Sequence, residues 1–428
     1  MTVAGQSTVN YSYDNANRLT QITQGSSTVT YTYDNAGRRT SLTLPNGVLV
    51  EYGYDAASRL TSITYKQNGT TVLGNLTYEY DKNGNRLKTG GSFARTGLPQ
   101  AVAATAHNAA NHQTTFGDKT LTYDNNGNLQ TITDSSGTTT YIWSARNQLT
   151  GISGPGVNAT FVYDGLGRRE KKTVNSNVTE FLYDGLNPVQ ETSGATILAN
   201  ILPGLGIDEF LSRTDVVAGV TSNFLTDTLG SPIAVTDNQG VIQTEYTYEP
   251  FGKTSLSGAS NSSSYQYTGR ENDGAGLFFY RARYYHPQLQ RFLSEDPIEF
   301  LGGDINLYSY VANKPTTYAD PLGFEVPGGG YLPIYPHPSG DGRLCIAFGG
   351  CTPSKPKSSP KPPIPPNPPH DPRPKCSPGD LCGPPQPPVC RDCRTFPCTR
   401  SPYVCYDNGR WRNQEAPPGT PPVDPEGL

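Results

Sequence analysis

A tyrosine–aspartate pair recurs along the first half of the chain, at Tyr13-Asp14, Tyr33-Asp34, Tyr54-Asp55, Tyr80-Asp81, Tyr123-Asp124, Tyr163-Asp164 and Tyr183-Asp184. The spacing is about 20 residues or a multiple of it, and a fixed short period restricts a chain to architectures that grow by stacking one unit on the next. Each copy runs through Tyr-x-Tyr-Asp into a small polar turn ending in Gly or Asn, then Arg or Asn, an apolar residue and Thr, as in Tyr31-Thr-Tyr-Asp-Asn-Ala-Gly-Arg-Arg-Thr40. Val29, Tyr31 and Tyr33 alternate with Thr28, Thr30 and Thr32, which gives one apolar and one hydroxylic face and therefore a strand. The aspartate can accept hydrogen bonds from the amides of its own turn, and Gly37 or Asn17 tolerates positive φ there. These pairs thus have a local structural role, and nothing in them calls for chemistry.

Two strands per unit with no helical periodicity predict an all-β fold, a continuous antiparallel strand spiral. One unit cannot bury its own face, so neighbours must stack and the end units need caps. Hydrophobic residues make up only 34% of the chain, yet it carries 27 Tyr and 46 Gly, a mixture that suits short strands in which Tyr supplies buried area. Two stretches leave the register: residues 90–118 read as a loop or insertion, and residues 185–225 keep strand-like segments without the Tyr-Asp mark. The formal net charge is −4 with no block of like charges, so neither nucleic acid nor an anionic membrane is an expected partner. No apolar stretch is long enough to span a bilayer, and the first residues lack the pattern of a signal peptide. The array begins within a few residues of Met1, as it would in a fragment of a longer gene product.

From about residue 203 the text changes. It reads Gly206-Ile-Asp-Glu209, Asp227-Thr-Leu-Gly-Ser231, Tyr248-Glu-Pro-Phe-Gly252, Tyr267-Thr-Gly-Arg-Glu271, Tyr280-Arg-Ala-Arg-Tyr-Tyr-His-Pro287, Arg291-Phe-Leu-Ser-Glu-Asp-Pro297, Asn306-Leu-Tyr-Ser-Tyr-Val311 and Asp320-Pro-Leu-Gly323. With the upstream repeats, this series resembles the RHS (YD-repeat) proteins and their repeat-associated core domain, found in bacterial RHS toxins and in the C subunits of insecticidal toxin complexes. The resemblance covers residues 11–324. It implies a strand spiral rolled into a shell around a C-terminal polymorphic toxin, closed by a core-domain plug that in many members cuts the chain after Asp-Pro-x-Gly-Leu. The expected division is a repeat array over 1–202, a core domain over 203–324, a Pro-rich linker over 325–375 and a Cys-rich tail over 376–428. Seven Tyr-Asp pairs are few for a closed cocoon, so a partial spiral with its plug intact is expected, completed by upstream repeats or a partner subunit.

The resemblance assigns the cut to an aspartate pair. Asp296 and Asp320, heading the two Asp-Pro motifs, are the candidates, with Arg291 to orient one of them and the cut between Phe324 and Glu325. One ionised carboxylate would activate water while a protonated neighbour donates. Asp-Pro is also a common turn and N-cap dipeptide, which leaves a purely structural Asp296 open. The chain departs from the family in three places: Phe324 replaces Leu, Glu299 stands where Gly is typical, and an extra residue lies around Asp304. His107, His112 and His286 are isolated and read as solvent or packing residues.

Behind Phe324 the composition turns to Pro and Gly, and all eight cysteines lie there. Their even number in an apolar-poor segment favours disulfides formed after export, whereas Cys390, Cys393, Cys398 and Cys405 can alternatively hold one zinc. No effector signature is legible in this tail, and no cofactor is expected. The resemblance implies a secreted or cell-surface toxin carrier whose partners are export machinery and an immunity protein. The second function class is a cell-surface or extracellular adhesion or carbohydrate-binding YD-repeat protein without enzymatic activity.

Overall fold

The computed structural model describes residues 1–324 and, separately, two short strands, Tyr403–Cys405 and Trp411–Asn413, which pair antiparallel. Residues 1–324 form an eight-stranded sheet from Val9–Tyr13 to Arg86–Gly90, a sixteen-stranded sheet from Thr105–His107 to Thr254–Gly258, and a four-stranded sheet between Glu271 and Phe292. Every strand of the two large sheets pairs with its sequence neighbour, so each sheet is a long antiparallel meander.

The repeat explains the ladder. In the second unit the Asp34 Oδ1 accepts the amides of Ala36 and Arg38 at 2.9 Å each, and Gly37 closes the turn at φ +80°. Arg38 Nε donates to Asp34 Oδ2 at 2.6 Å, while its guanidinium lies 4.9 Å from the Tyr54 ring of the following unit and its Nη1 donates to the Asp55 carbonyl at 3.2 Å. Tyr54 Oη in turn donates to the Arg39 carbonyl at 2.9 Å. The same contacts link Arg18 to Tyr33, Arg59 to Tyr80 and Arg168 to Tyr183. Each Tyr of a Tyr-Asp pair also marks a shift of register in its strand pair, a bulge that adds twist and turns the meander into a spiral.

Several units carry no Tyr-Asp pair. At Trp143-Ser144 the Ser144 Oγ accepts the amides of Arg146 and Gln148 at 3.2 Å each, and Trp143 Nε1 donates to the Leu129 carbonyl at 2.8 Å. Asp227 and Asp237 build the same turn over residues 227–231 and 237–241 without a preceding tyrosine. The ladder therefore runs unbroken through residues 185–225 and past residue 203 to Gly258. Residues 90–118, expected as a loop or insertion, carry two short strands, Thr105–His107 and Gln113–Phe116, and the gap between the large sheets falls before them.

The core lies in layers. In the strands between Thr196 and Thr236, Leu202, Leu211, Leu225 and Ala234 pack on the first sheet, against residues such as Ile22, Val29, Val50 and Ile63. Their chain neighbours Ile201, Phe210, Phe224 and Val235 face the other way, onto Tyr265, Tyr267, Phe278 and Tyr280 of the closing segment. Alternation normally leaves one face to water; here both are covered. The earlier strands of the second sheet, with Leu121, Ile132, Leu149 and Phe161, pack on Leu277, Phe279, Tyr284 and Leu293. The closing segment is thus a plug gripped from two sides by one curved sheet, as the resemblance implied. At the free edge, Val9 is partly capped by Met1, whose carbonyl accepts the Val9 amide at 2.8 Å.

Candidate functional site

Asp320 and Asp296 come together inside the plug, 4% and 3% exposed. Asp320 heads a turn of its own: its Oδ1 accepts the amides of Gly323 at 2.9 Å and Phe324 at 3.0 Å. Gly323 sits at φ +74°, and a Cβ there would lie 2.2 Å from the Tyr280 carbonyl oxygen. That position therefore tolerates only glycine, and the Asp-Pro-Leu-Gly turn fits against the plug in one register.

The group between the two aspartates is Arg283. Its Nη2 lies 2.9 Å from Asp296 Oδ2 and 3.5 Å from Asp320 Oδ2, its Nε donates to the Gly323 carbonyl at 2.6 Å, and its Nη1 donates to the Leu307 carbonyl at 3.0 Å. The guanidinium lies 3.6 Å from the centre of the Phe292 ring and is fully buried. Asp296 is fixed by its own turn, its Oδ1 accepting the Ile298 amide at 3.0 Å.

One guanidinium balances one carboxylate, and a second negative charge in this dry volume is opposed by desolvation. Burial pushes the Asp320 carboxyl up from 3.8 to about 7; the nearby Arg283 charge and the Phe324 amide pull the other way, and Asp296 adds to the rise. A carboxyl that is about half protonated at neutral pH can donate a proton to a leaving group while its neighbour accepts one from water. The acceptor turn places Asp320 at the end of the segment that finishes at Phe324.

Arg291 does not belong to this pair. It was expected to orient an aspartate, but its Nη2 donates to the Asn111 carbonyl at 2.8 Å and to Asn306 Oδ1 at 3.4 Å, and its guanidinium covers the Tyr308 ring at 4.9 Å. The reason is strand alternation, which turns Arg291 and Phe292 to opposite sides, so that Phe292 and not Arg291 lies against Arg283. Arg283 was missed in the sequence, although it stands in the quoted Tyr-Arg-Ala-Arg-Tyr-Tyr run; only its burial between the acids singles it out. Glu299 holds φ +53°, which accounts for glycine being the ordinary residue there. Asp304 bonds locally, accepting the Asn306 amide and the Ser309 hydroxyl at 2.9 and 2.6 Å.

The isolated histidines make no cluster. His286 is buried with its Nδ1 accepting the Leu289 amide at 3.3 Å, and burial pushes it down to about 4. His112 stacks on Tyr123 with ring centres 4.3 Å apart. Glu325, Cys390, Cys393 and Cys398 lie outside the described residues, and of Cys405 only its place in a strand is described. Among the described residues no helix is long and apolar enough to cross a membrane.

The family profile described as teneurin YD-shell matches residues 49–316, and that described as RHS repeat matches residues 13–49. The tRNA3(Ser)-specific nuclease WapA of Bacillus spizizenii is 34% identical over 272 residues, covering 61% of this chain and 11% of that protein. The double-stranded DNA deaminase toxin A of Burkholderia cenocepacia is 28% identical over 198 residues, covering 39% of this chain and 14% of the relative. The chain therefore spans a small part, 11% and 14%, of these relatives' lengths. The crystal structure of TcdB2-TccC3-Cdc42 superposes with a TM-score of 0.55 at 20% identity, covering 74% of this chain and 20% of that one. The Tc holotoxin pore of Photorhabdus luminescens gives a TM-score of 0.56 at 19% identity, over 76% of this chain and 21% of that one. At such identities the likeness establishes the shared fold.

Proposed function

This chain belongs to the teneurin YD-shell family, and from that membership we propose that its plug cuts the chain after Phe324 and frees residues 325–428 as a toxin or effector. Its shell is that of the RHS proteins among polymorphic toxins. The observation that carries the proposal is the Asp296–Arg283–Asp320 arrangement, in which a buried acid whose pKa is raised to about 7 accepts the amide of Phe324 itself.

The reaction is a hydrolysis that needs only water. Asp296 takes a proton from the water as its oxygen adds to the Phe324 carbonyl carbon. Asp320 gives a proton to the Glu325 nitrogen, the bond between the two residues breaks, and a carboxylate and an amine result. Arg283 holds the Gly323 carbonyl and one acid's charge, which keeps the segment in place while the other acid stays protonated.

In this reading the wider role is that of a carrier. Upstream repeats or a partner subunit complete the shell, export machinery delivers the protein outside the producing cell, and an immunity protein guards the producer against the tail. Two relatives are named as a tRNA nuclease and a DNA deaminase toxin, which supports an effector in the position behind the plug.

Intact mass of the purified chain under denaturing conditions, beside an Asp320→Asn variant, tests the proposal. A wild-type fragment ending at Phe324, absent from the variant, is the expected result. Both chains remaining whole would overturn self-cleavage and leave an adhesive shell as the better reading.

A further inference from the structure

The segment Pro321–Leu322–Gly323 is held through three successive carbonyls by three successive residues. Arg281 Nη1 donates to the Pro321 carbonyl, the Ala282 amide to the Leu322 carbonyl at 3.2 Å, and Arg283 Nε to the Gly323 carbonyl at 2.6 Å. We propose that Arg281 is a positioning residue that sets the register of the cut, fixing which peptide bond reaches the aspartates. The proposal rests on the self-cleavage reading and adds a residue that does not touch either acid.

Arg281 is built into the fold more firmly than a surface contact would require. Its Nη1 and Nη2 lie 3.0 and 2.7 Å from Asp208 Oδ2 and Oδ1, and Nη2 also donates to the Leu186 carbonyl at 3.0 Å. Asp208 is itself shared with Arg270, at 2.5 Å, and its amide donates to Asn187 Oδ1 at 2.8 Å. Two guanidiniums thus divide one buried carboxylate, and the donors of Arg281 left over go to carbonyls, one of which belongs to the segment to be cut. Arg281 also holds a left-handed backbone at φ +59°, an unfavourable conformation for an arginine that its side-chain anchors hold in place.

The register matters because the seat accepts one alignment. Only the missing Cβ of Gly323 lets the segment approach the Tyr280 carbonyl. A slip by one residue would put a side chain there and would break the bonds from the Gly323 and Phe324 amides to Asp320. Arg283 and the Ala282 amide grip the Gly323 and Leu322 carbonyls; Arg281, at Pro321, supplies the third point, the one farthest from the bond to be cut.

Cell-free synthesis of the full chain tests this, with the rate of cleavage and the mass of the N-terminal fragment read for wild type, Arg281→Ala, Arg281→Lys and Asp208→Asn across pH 6 to 9. Thermal melting accompanies each variant. The expected result is one fragment from wild type, a drop of at least about tenfold in rate with fragments ending at neighbouring residues for Arg281→Ala, and recovery of a single cut by Arg281→Lys. Asp208→Asn should broaden the cut as Arg281→Ala does. Cleavage of Arg281→Ala at the wild-type bond alone, at any rate, overturns the register role, because a merely structural arginine would slow the reaction without moving it. If Arg281→Ala melts before it can be assayed, the cut position in Asp208→Asn decides in the same way. A wild type and an Asp320→Asn that both stay whole overturn this inference together with the reading beneath it, whereas a wild type that cuts beside an unchanged Arg281→Ala overturns the inference alone.

Discussion

The amide of Glu299 donates to the carbonyl of Asp296 at 2.8 Å, and closing that turn holds Glu299 at φ +53°. A left-handed backbone costs a residue with a Cβ about 1–2 kcal/mol, part of which glycine returns through its freer unfolded chain. Glu299→Gly should therefore raise stability by about 1 kcal/mol, seen as a higher urea midpoint with an unchanged slope. An unchanged or lower midpoint would show that the turn is not strained.

Asp320 and His286 oppose one another in their effect on stability. The folded Asp320, raised to about 7, keeps a proton that the unfolded carboxyl loses near 3.8, so its contribution falls as pH rises from about 4 to 7. The folded His286, lowered to about 4, lacks a proton that the unfolded imidazole binds below 6.5, so its contribution falls as pH drops through that window. Each is on the order of 3–4 kcal/mol at full extent, and in the wild type they largely cancel. Asp320→Asn should expose stability that rises with pH between 4 and 6.5, and His286→Asn stability that falls between 4 and 7. Urea titrations at each pH give the slopes, and parallel curves for all three proteins would refute both assignments.

If Asp320 acts as the acid, cleavage should fall about tenfold per pH unit once pH passes well above 7. A rate that is flat to pH 9 in cell-free synthesis would remove Asp320 from that role.

Arg169 joins the second sheet to the plug, with its side chain fully buried and Nη1 2.6 Å from Asp273 Oδ2; its Nη2 pairs with Glu271. Lys172 reaches the same Asp273 at 3.3 Å. Removing the arginine leaves the buried Glu271 without its cation and Asp273 with Lys172 alone, a loss of about 3–5 kcal/mol. Arg169→Met should lower the denaturation midpoint by that amount, and a loss under about 1 kcal/mol would mean that water reaches the network.

Trp143 stands in for tyrosine in a unit without a Tyr-Asp pair. Trp143→Tyr should be close to neutral, since Tyr163 makes the matching bond to the Leu149 carbonyl at 2.6 Å. Trp143→Phe should cost about 1 kcal/mol for the lost bond to Leu129. Equal losses from both variants would mean that indole packing, not the hydrogen bond, holds the unit.

The sequence carried the ladder because its marks are local: Asp34, Gly37 and Arg38 act within five residues, and their order in the chain is their order in the turn. Trp143-Ser144 escaped because two different side chains supply the same donor and acceptor, which only geometry reveals. Asp296 and Asp320 were recognisable from their Asp-Pro motifs. The arginine between them was not, because Arg283 and Arg291 lie in two different short strands whose facing is set by the pairing of the plug, and several arginines crowd that stretch. Arg281 was hidden for the same reason, since its partner Asp208 lies 73 residues away.

The arginines Arg18, Arg38, Arg59 and Arg168 reach forward, to the tyrosine of the unit that follows, as Arg38 does to Tyr54 and the Asp55 carbonyl. The array accordingly has a direction. A unit is completed by its C-terminal neighbour, and the series is completed at the plug, where Arg86 donates to the Thr316 carbonyl at 2.7 Å and Arg169 is paired with Glu271 and Asp273. Loss of the plug withdraws the partners of Arg86 and Arg169, on which the procession closes.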